Sequence, residues 1–305
     1  MAKYLNDIRE LIGNTPLLKI NNFALPDNVK LFAKLEYLNP GGSVKDRIGV
    51  AMLDDAKRRG ILTPGTTIIE ATGGNTGLGI ALAVLNTGYK MIFTVPEKFS
   101  QEKLTLMRAL GAQVVITPRK DGLLGAQEKA QELLAKIPNS IELKQFKNQS
   151  NPDIHYKTTG PEIYNDLQEN VDYFIAGAGS GGTFSGIAKY LKEQNPNLIS
   201  VLVEPVGSTM TGGVAASYNI EGIGNNFIPQ TLDFSFVDQV IKVSDDDAFS
   251  SSRLLASKEG IFVGSSSGAV MSAALKFIST LKTGGNVVVV FPDRGDRYFS
   301  KNLYD

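Results

Sequence analysis

The sequence contains no cysteine and no tryptophan, and it contains only one histidine, His155. Without cysteine the chain cannot form a disulfide, a zinc finger, an iron–sulfur cluster or a thiol nucleophile of its own. A single histidine argues against a two-histidine metal site, and we predict no metal centre. Any chemistry must therefore use lysine, hydroxyls, carboxylates or a bound cofactor.

The chain also has no net charge, since 31 basic side chains balance 31 acidic ones among 305 residues. It therefore lacks the electrostatic pattern of a nucleic-acid binder or of a protein that lies on a membrane surface. The charged N-terminal segment, MAKYLNDIRELIG, has no apolar core of the signal-peptide kind, so we expect a cytoplasmic protein. We expect its partners to be small molecules or copies of itself.

What recurs along the chain is a short β-branched run, a Gly/Ser/Thr loop and then a stretch with helical periodicity. Strands are predicted at 66–71, 90–95, 112–117, 171–177, 198–204 and 286–291, and helices at 77–86, 101–110, 125–135 and 183–192. Alternating strands and helices predict an α/β fold with parallel sheets covered on both faces. Residues 137–152 collect Pro, Asn and Ser, which is typical of a crossing between two domains.

Three glycine-rich loops stand next to predicted helix starts: TGGNTG at 72–77, GAGSGGT at 177–183 and GSSSG at 264–268. Backbone N–H groups in such loops approach anions closely, and the helix dipole favours negative charge there. The second loop also fits the dinucleotide pattern G-x-G-x-x-G through Gly177, Gly179 and Gly182, with Glu204 following the next strand. NAD-dependent oxidoreduction is therefore one alternative.

Lys45 argues for different chemistry. In NPGGSVKDR (39–47) it stands where a Pro-Gly-Gly turn runs into a helix. On a solvated helix face it would be an ordinary lysine. The glycine pair before it makes a pocket floor plausible, and a partly desolvated amine can form a Schiff base with a carbonyl cofactor. A hydride-transfer enzyme would not need this lysine.

Seven segments occur in the order seen in the pyridoxal-phosphate enzymes of the cysteine synthase and cystathionine β-synthase family. They are NPGGSVKDR, TGGNTG, KQFKNQSNPDIHYKTTGPEI, GAGSGGTFSG, VEPVGS, EGIGNNFIP and VGSSSGAV. The resemblance runs from about Ile8 to Lys301, and segments 96–103, 220–233 and 291–298 are more similar to the cystathionine β-synthase branch.

The resemblance implies an α/β protein of pyridoxal-phosphate fold type II, with the cofactor in a cleft between two domains, each with a mostly parallel sheet flanked by helices. We place the larger domain, which would hold the cofactor phosphate, at 1–37 and 148–305. The smaller, mobile domain, which would hold the substrate carboxylate, spans 38–147. The resemblance also implies a homodimer.

The resemblance assigns cofactor roles by position. Lys45 would hold the cofactor as an imine and act as the base at Cα, Asn75 would contact the ring oxygen, and Ser266 would face the pyridine nitrogen. The phosphate would be bound by Gly179, Ser180, Gly181, Gly182 and Thr183. A neutral hydroxyl at Ser266 leaves the ring a weaker electron sink than an aspartate would, which suits β-elimination and β-replacement.

The substrate carboxylate would lie on the loop of Thr72, Gly73, Gly74, Asn75 and Thr76. Gln145 would supply a side-chain donor, and the backbone at Gly222 would approach the bound intermediate. Gly73 stands where the family has serine, which removes a hydroxyl near the β-carbon. We interpret His155 as a packing residue.

The implied reaction is β-replacement through an aminoacrylate. O-acetylserine or serine is the donor, and a thiol adds: homocysteine giving cystathionine, or sulfide giving cysteine. A plain cysteine synthase is the nearest alternative. A non-catalytic binding protein of the same fold, prompted by Gly73, and the NAD-dependent oxidoreductase are the others.

Overall fold

The computed structural model describes residues 4–305, in which ten strands and nine α-helices are found. The strands are β1 Leu17–Ile20, β2 Val29–Leu35, β3 Thr67–Ala71, β4 Lys90–Pro96, β5 Gln113–Thr117, β6 Ser140–Ile141, β7 Tyr173–Gly177, β8 Ile199–Pro205, β9 Gln239–Val243 and β10 Gly285–Phe291. The helices are α1 Lys45–Arg58, α2 Asn75–Val84, α3 Gln101–Ala109, α4 Gly122–Lys136, α5 Ser150–Ile154, α6 Gly160–Asp166, α7 Gly182–Gln194, α8 Asp245–Glu259 and α9 Ser265–Ile278.

The strands form two sheets. One has six strands in the order β1-β2-β10-β7-β8-β9, and only its β1–β2 pair is antiparallel. The other has four strands in the order β5-β4-β3-β6, all parallel. The α/β class with two mostly parallel sheets is therefore confirmed.

Alternate residues of the central strands enter different cores. Val287 and Val289 of β10 pack in one hydrophobic cluster, and Val288 and Val290 pack in another. Side chains alternate across a strand, so this division means that helices cover both faces of the sheet. It explains why these strands appear in the sequence as continuous apolar runs.

The predicted strands and helices are all present, with ends shifted by a few residues. The helix predicted at 77–86 instead spans Asn75–Val84, because Gly74, at φ +119°, begins it earlier. The domain bounds stay a prediction. The six-stranded sheet uses residues 17–35 and 173–291, and the four-stranded sheet uses residues 67–141.

Helices α1 and α2 cross at two glycines, which sets the position of Lys45. A Cβ atom at position 49 would lie 2.3 Å from the backbone of Gly79, and one at position 79 would lie 2.2 Å from the carbonyl oxygen of Lys45. The helices therefore pack backbone against backbone, with the start of α1 beside the start of α2. No helix within residues 4–305 is long and apolar enough to cross a membrane.

Candidate active site

One cavity brings together residues from five separate segments of the chain, four of which carry predicted residues. Its lining includes seven of the residues predicted from the sequence: Lys45, Gly179, Ser180, Gly181, Thr183, Gly222 and Ser266. They come from the start of α1, the loop from β7 to α7, the loop around residue 222 and the start of α9. The segments lie at the carboxyl ends of parallel strands, where α/β proteins bind ligands.

Lys45 is the first residue of α1 and reaches this cavity. Burial lowers the pKa of its amine from 10.5 to about 8, although the carboxylates of Asp293 and Glu36 act in the opposite direction. With this pKa roughly a tenth of the amine is neutral at pH 7, far more than for an ordinary lysine, and the neutral form is the one that a lysine nucleophile or base requires.

The loop before α7 is shaped to hold an anion. Gly181 has φ +87°, a left-handed conformation that favours glycine, and it precedes the first helical residue, Gly182. A Cβ atom at position 182 would lie 2.1 Å from Asn151 Oδ1, and one at position 179 would lie 2.3 Å from the Gly222 carbonyl oxygen. The loop therefore packs so closely against Asn151 and Gly222 that positions 179 and 182 admit only glycine. It brings the start of α7, whose N-terminal N–H groups favour an anion, to the cavity.

Three side chains that were not predicted fix this loop in place. Asn225 Nδ2 donates to the Gly179 carbonyl at 2.6 Å, and Thr231 Oγ1 donates to the Ser180 carbonyl at 2.5 Å. Asn151 Nδ2 donates to Ser180 Oγ at 3.0 Å. The loop is therefore held from its outer side, which leaves its inner side for a ligand.

Ser266 and Gly222 face each other across the cavity. A Cβ atom at Gly222, where φ is +90°, would have Ser266 Oγ as its sole neighbour within 4 Å, at 3.7 Å. Position 222 therefore opens into free space beside a neutral hydroxyl. A ligand ring can lie there without meeting a side chain from Gly222.

Asn75 does not line this cavity, and its amide is held by two partners nearby. Its Nδ2 donates to Asp293 Oδ2 at 2.6 Å, and its Oδ1 accepts from Arg297 Nη1 at 3.2 Å. These bonds fix the orientation of the amide. The predicted contact with a cofactor oxygen stays a prediction.

Thr72 and Thr76 organise the loop predicted to bind a carboxylate. Thr72 Oγ1 accepts from the backbone N–H groups of Gly74 and Gly77, at 3.0 and 3.2 Å. Thr76 Oγ1 donates to Gln145 Oε1 at 2.6 Å, and Gln145 Nε2 donates to the Ala71 carbonyl at 3.0 Å. The structure therefore joins Gln145 to the loop, and the substrate-binding role of both stays a prediction.

Glu70 is a supporting residue that the sequence analysis missed. Its carboxylate is 1% exposed and accepts backbone N–H bonds from Leu143, Lys144 and Gln145 at 2.9 to 3.1 Å. Burial raises the pKa of Glu70 to about 7, and the three bonds oppose that rise. A glutamate inside an apolar strand, as in TTIIEA, is the only sequence signal that marks it.

A second missed feature is a buried charge cluster that links the two sheets. Lys103 Nζ, on α3, donates to Glu221 Oε2 and to the Tyr298 hydroxyl, both at 2.9 Å. Tyr298 in turn donates to Asp293. Glu221 adjoins Gly222 and Asp293 holds Asn75, so the cluster connects the cavity loop at Gly222 to the start of α2.

Gly73, where the resemblance predicts a serine, lies under the ring of Phe99. A Cβ atom at position 73 would lie 2.8 Å from Phe99 Cζ and 2.9 Å from Cε1. The backbone of Gly73 does not have a positive φ, so the ring is the obstacle to a side chain there. The ring of Phe99 therefore occupies the space that a serine side chain at position 73 would need.

This contact gives a prediction for Gly73→Ser. We expect the substitution to lower the free energy of unfolding by about 1–3 kcal/mol, because it overpacks a filled site. Combined with Phe99→Ala it should cost less than the sum of the two single changes. Urea unfolding of the four proteins measures this coupling, and additive losses would show that the ring does not occupy the serine position.

The fold and the cavity define an enzyme that holds a carbonyl cofactor with an anionic group. The chain belongs to the pyridoxal-phosphate dependent enzyme family, whose model matches residues 8–293. It is 51% identical over 301 residues to the O-acetylserine dependent cystathionine beta-synthase of Bacillus subtilis, covering 99% of this chain and 98% of that relative. A cysteine synthase of Helicobacter pylori is 47% identical over 302 residues, covering 98% and 99%.

Solved structures give the same result. The O-acetylserine dependent cystathionine beta-synthase of Helicobacter pylori matches with a TM-score of 0.96 and 46% identity over 100% of both chains. A hydrogen sulfide-producing enzyme of Fusobacterium nucleatum matches with a TM-score of 0.93 and 41% identity, covering 97% of this chain and 100% of that one. The fold is therefore pyridoxal-phosphate fold type II.

The residues present fit pyridoxal phosphate. Lys45 offers an amine of lowered pKa, the glycine-rich loop at 179–183 brings the N-terminus of α7 to the cavity, and Ser266 offers a neutral hydroxyl in the same cavity. An aldehyde requires a nucleophilic amine, a phosphate requires N–H and O–H donors, and a pyridine nitrogen can accept a hydrogen bond from a hydroxyl. Lys45 would hold the aldehyde carbon, and the 179–183 loop would hold the phosphate.

Proposed function

We propose that this enzyme catalyses β-replacement on O-acetylserine or serine, with homocysteine as the thiol and cystathionine as the product. The observation that carries the proposal is the single cavity in which Lys45, the 179–183 loop and Ser266 meet. The 51% identity to a cystathionine beta-synthase supports the choice of product. Sulfide as acceptor, giving cysteine, is the second candidate, since a cysteine synthase is 47% identical.

Lys45 carries the proton transfer in this proposal. Pyridoxal phosphate, when bound, supplies a conjugated ring that withdraws electrons from the substrate α-carbon. The amine of Lys45, once displaced from the cofactor, takes the α-proton at Nζ, for which its lowered pKa suits it. Ser266 presents a neutral hydroxyl and no charge, so loss of a β-leaving group is favoured over transamination.

The loop at 72–76 binds the substrate carboxylate in this proposal. Its last two residues begin α2, whose N-terminal N–H groups and dipole favour an anion. Thr72 closes the loop internally, and Gln145 is fastened to it through Thr76. The chain would work as a cytoplasmic homodimer in which residues 38–147 form a mobile domain, as the resemblance of the sequence implies.

A competition assay tests the proposed reaction. The purified enzyme is given O-acetylserine and serine together with homocysteine and sulfide, and the products are identified by mass. We expect cystathionine as the main product. Cysteine alone would favour the second candidate. No product from any pair, with visible cofactor absorbance intact, would favour a non-catalytic binding protein.

The lowered pKa of Lys45 predicts a pH dependence. Only the neutral amine attacks an aldehyde, so covalent attachment of added pyridoxal phosphate to cofactor-free enzyme should speed up about tenfold per pH unit below pH 8. Above that pH the rate of attachment should become independent of pH. Stopped-flow absorbance between pH 6 and pH 10 measures it. A rate that still rises steeply above pH 9 would place the pKa nearer its ordinary value.

A further inference from the structure

His155 is the first residue of a short π-helix, and its side chain contacts the 179–183 loop, the candidate phosphate site. The π-helix spans His155–Thr159 and separates α5 from α6. His155 is 0% exposed, with Nδ1 2.9 Å from Thr159 Oγ1 and Nε2 3.1 Å from Thr183 Oγ1. Thr183 lines the cavity. The sole histidine therefore connects a buried hydroxyl to a hydroxyl of the candidate phosphate site.

Close packing fixes this ring against α7. A Cβ atom at Gly186, one turn beyond Thr183, would lie 2.8 Å from His155 Cβ and 2.2 Å from the Pro152 carbonyl oxygen. The π-helix can therefore approach α7 only because residue 186 is glycine. Single π-turns inside helices occur frequently at functional sites. Here the π-turn places Nδ1 and Nε2 between two hydroxyls.

The charge state of the ring determines the direction of its bonds. Burial lowers the pKa of His155 well below 6.5, Arg47 and Lys45 lower it further, and Glu162 opposes them. A neutral imidazole has one donor and one acceptor nitrogen. If Thr159 donates to Nδ1, then Nε2–H donates to Thr183 Oγ1, and the hydroxyl hydrogen of Thr183 is left for the cavity.

We propose that His155 is a positioning residue for the cofactor phosphate, which holds the Thr183 hydroxyl so that it donates into the cradle. The proposal rests on the pyridoxal-phosphate site proposed above. It assigns the ring a specific tautomer, with the hydrogen on Nε2. It also assigns Thr159, which does not line the cavity, to the same chain of hydrogen bonds.

The test compares pyridoxal phosphate with pyridoxal, which has the same aldehyde and ring but no phosphate. Affinities are measured by absorbance on enzyme from which the cofactor has been removed, for the wild type, His155→Leu, His155→Gln and Thr159→Val. We expect His155→Leu to weaken pyridoxal phosphate about tenfold, as loss of a hydrogen bond to a charged group does. Pyridoxal affinity should not change. His155→Gln, which keeps a donor, should recover part of the loss.

Two further readouts separate positioning from general damage. The ³¹P signal of the cofactor in the holoenzyme should move in His155→Leu and in Thr159→Val. Adding His155→Leu to Thr183→Ala should cost nothing more, because both changes remove the same bond.

Equal losses for pyridoxal phosphate and pyridoxal would overturn the proposal, and so would additive losses with Thr183→Ala. Thr159→Val leaves the ring in place and answers the question even if His155→Leu does not fold. A wild type that binds neither compound would overturn the proposed site itself.

Discussion

Replacing Lys45 with alanine is expected to remove the visible absorbance of the purified enzyme and to lower turnover by at least about 10²–10⁴-fold, the range for a lost general base. The loss should lie at the upper end because, in the proposed function, the same amine both holds the cofactor and moves the α-proton. The neighbouring carboxylates remain, but no other predicted cavity residue carries an amine. Absorbance spectra and initial rates measure the two effects.

Lys57 offers a matched control, since it lies on the same helix with its side chain 42% exposed. Lys57→Ala should leave both the absorbance and the rate as in the wild type. The Lys45→Ala protein should still show the wild-type far-ultraviolet circular dichroism. If Lys45→Ala kept its visible band, the cofactor would be attached elsewhere, and the assignment of Lys45 would be wrong.

Local signals explain how much of the site was predictable. Lys45, the 179–183 loop and Ser266 each stand in a short segment whose glycines and helix start are visible in the sequence. Their meeting in one cavity follows from parallel strands, whose carboxyl ends share an edge. The continuous apolar runs of β7, β8 and β10 likewise indicate, from the sequence alone, strands that are buried on both faces.

Long-range pairing explains what was missed. Lys103 meets Glu221 118 residues away and Tyr298 195 residues away, and no local pattern indicates such partners. Edge strands were missed for another reason. Strand β9 is mostly exposed, with only Val243 buried, so it lacks the apolar run of a central strand. His155 was interpreted as packing because its contact with Thr183 depends on a π-turn that the sequence does not reveal.

Replacing Arg47 with methionine is expected to lower the free energy of unfolding by about 3–5 kcal/mol, because it leaves the buried carboxylate of Glu36 without its ion-pair partner. Arg47 lies two residues after Lys45 and is 2% exposed. Its Nε donates to Glu36 Oε2 and its Nη1 donates to Glu162 Oε1, both at 2.7 Å. Glu36 is 0% exposed, so water cannot replace Arg47 as the partner of its carboxylate. Urea unfolding at pH 7.5 measures the loss.

The pH dependence of that loss identifies its cause. Burial alone would raise the pKa of Glu36, but Arg47 and Thr15 hold it below 4.5 in the folded protein. A lowered carboxyl pKa stabilises the fold above about pH 4.5, and this contribution disappears as the pH falls through the folded pKa. The difference in free energy of unfolding between wild type and Arg47→Met should therefore be smaller at pH 4 than at pH 7.5.

Arg58→Met is the matched control, since Arg58 lies on the same helix with a side chain 73% exposed and paired with Asp55. It should cost at most about 1 kcal/mol, as surface pairs do. A gap for Arg47→Met that stayed constant between pH 7.5 and pH 4 would assign the loss to packing of the side chain. A stability difference that narrows shows that Arg47 acts by neutralising buried Glu36. The first turn of α1, which carries Lys45, is then held in place by this ion pair.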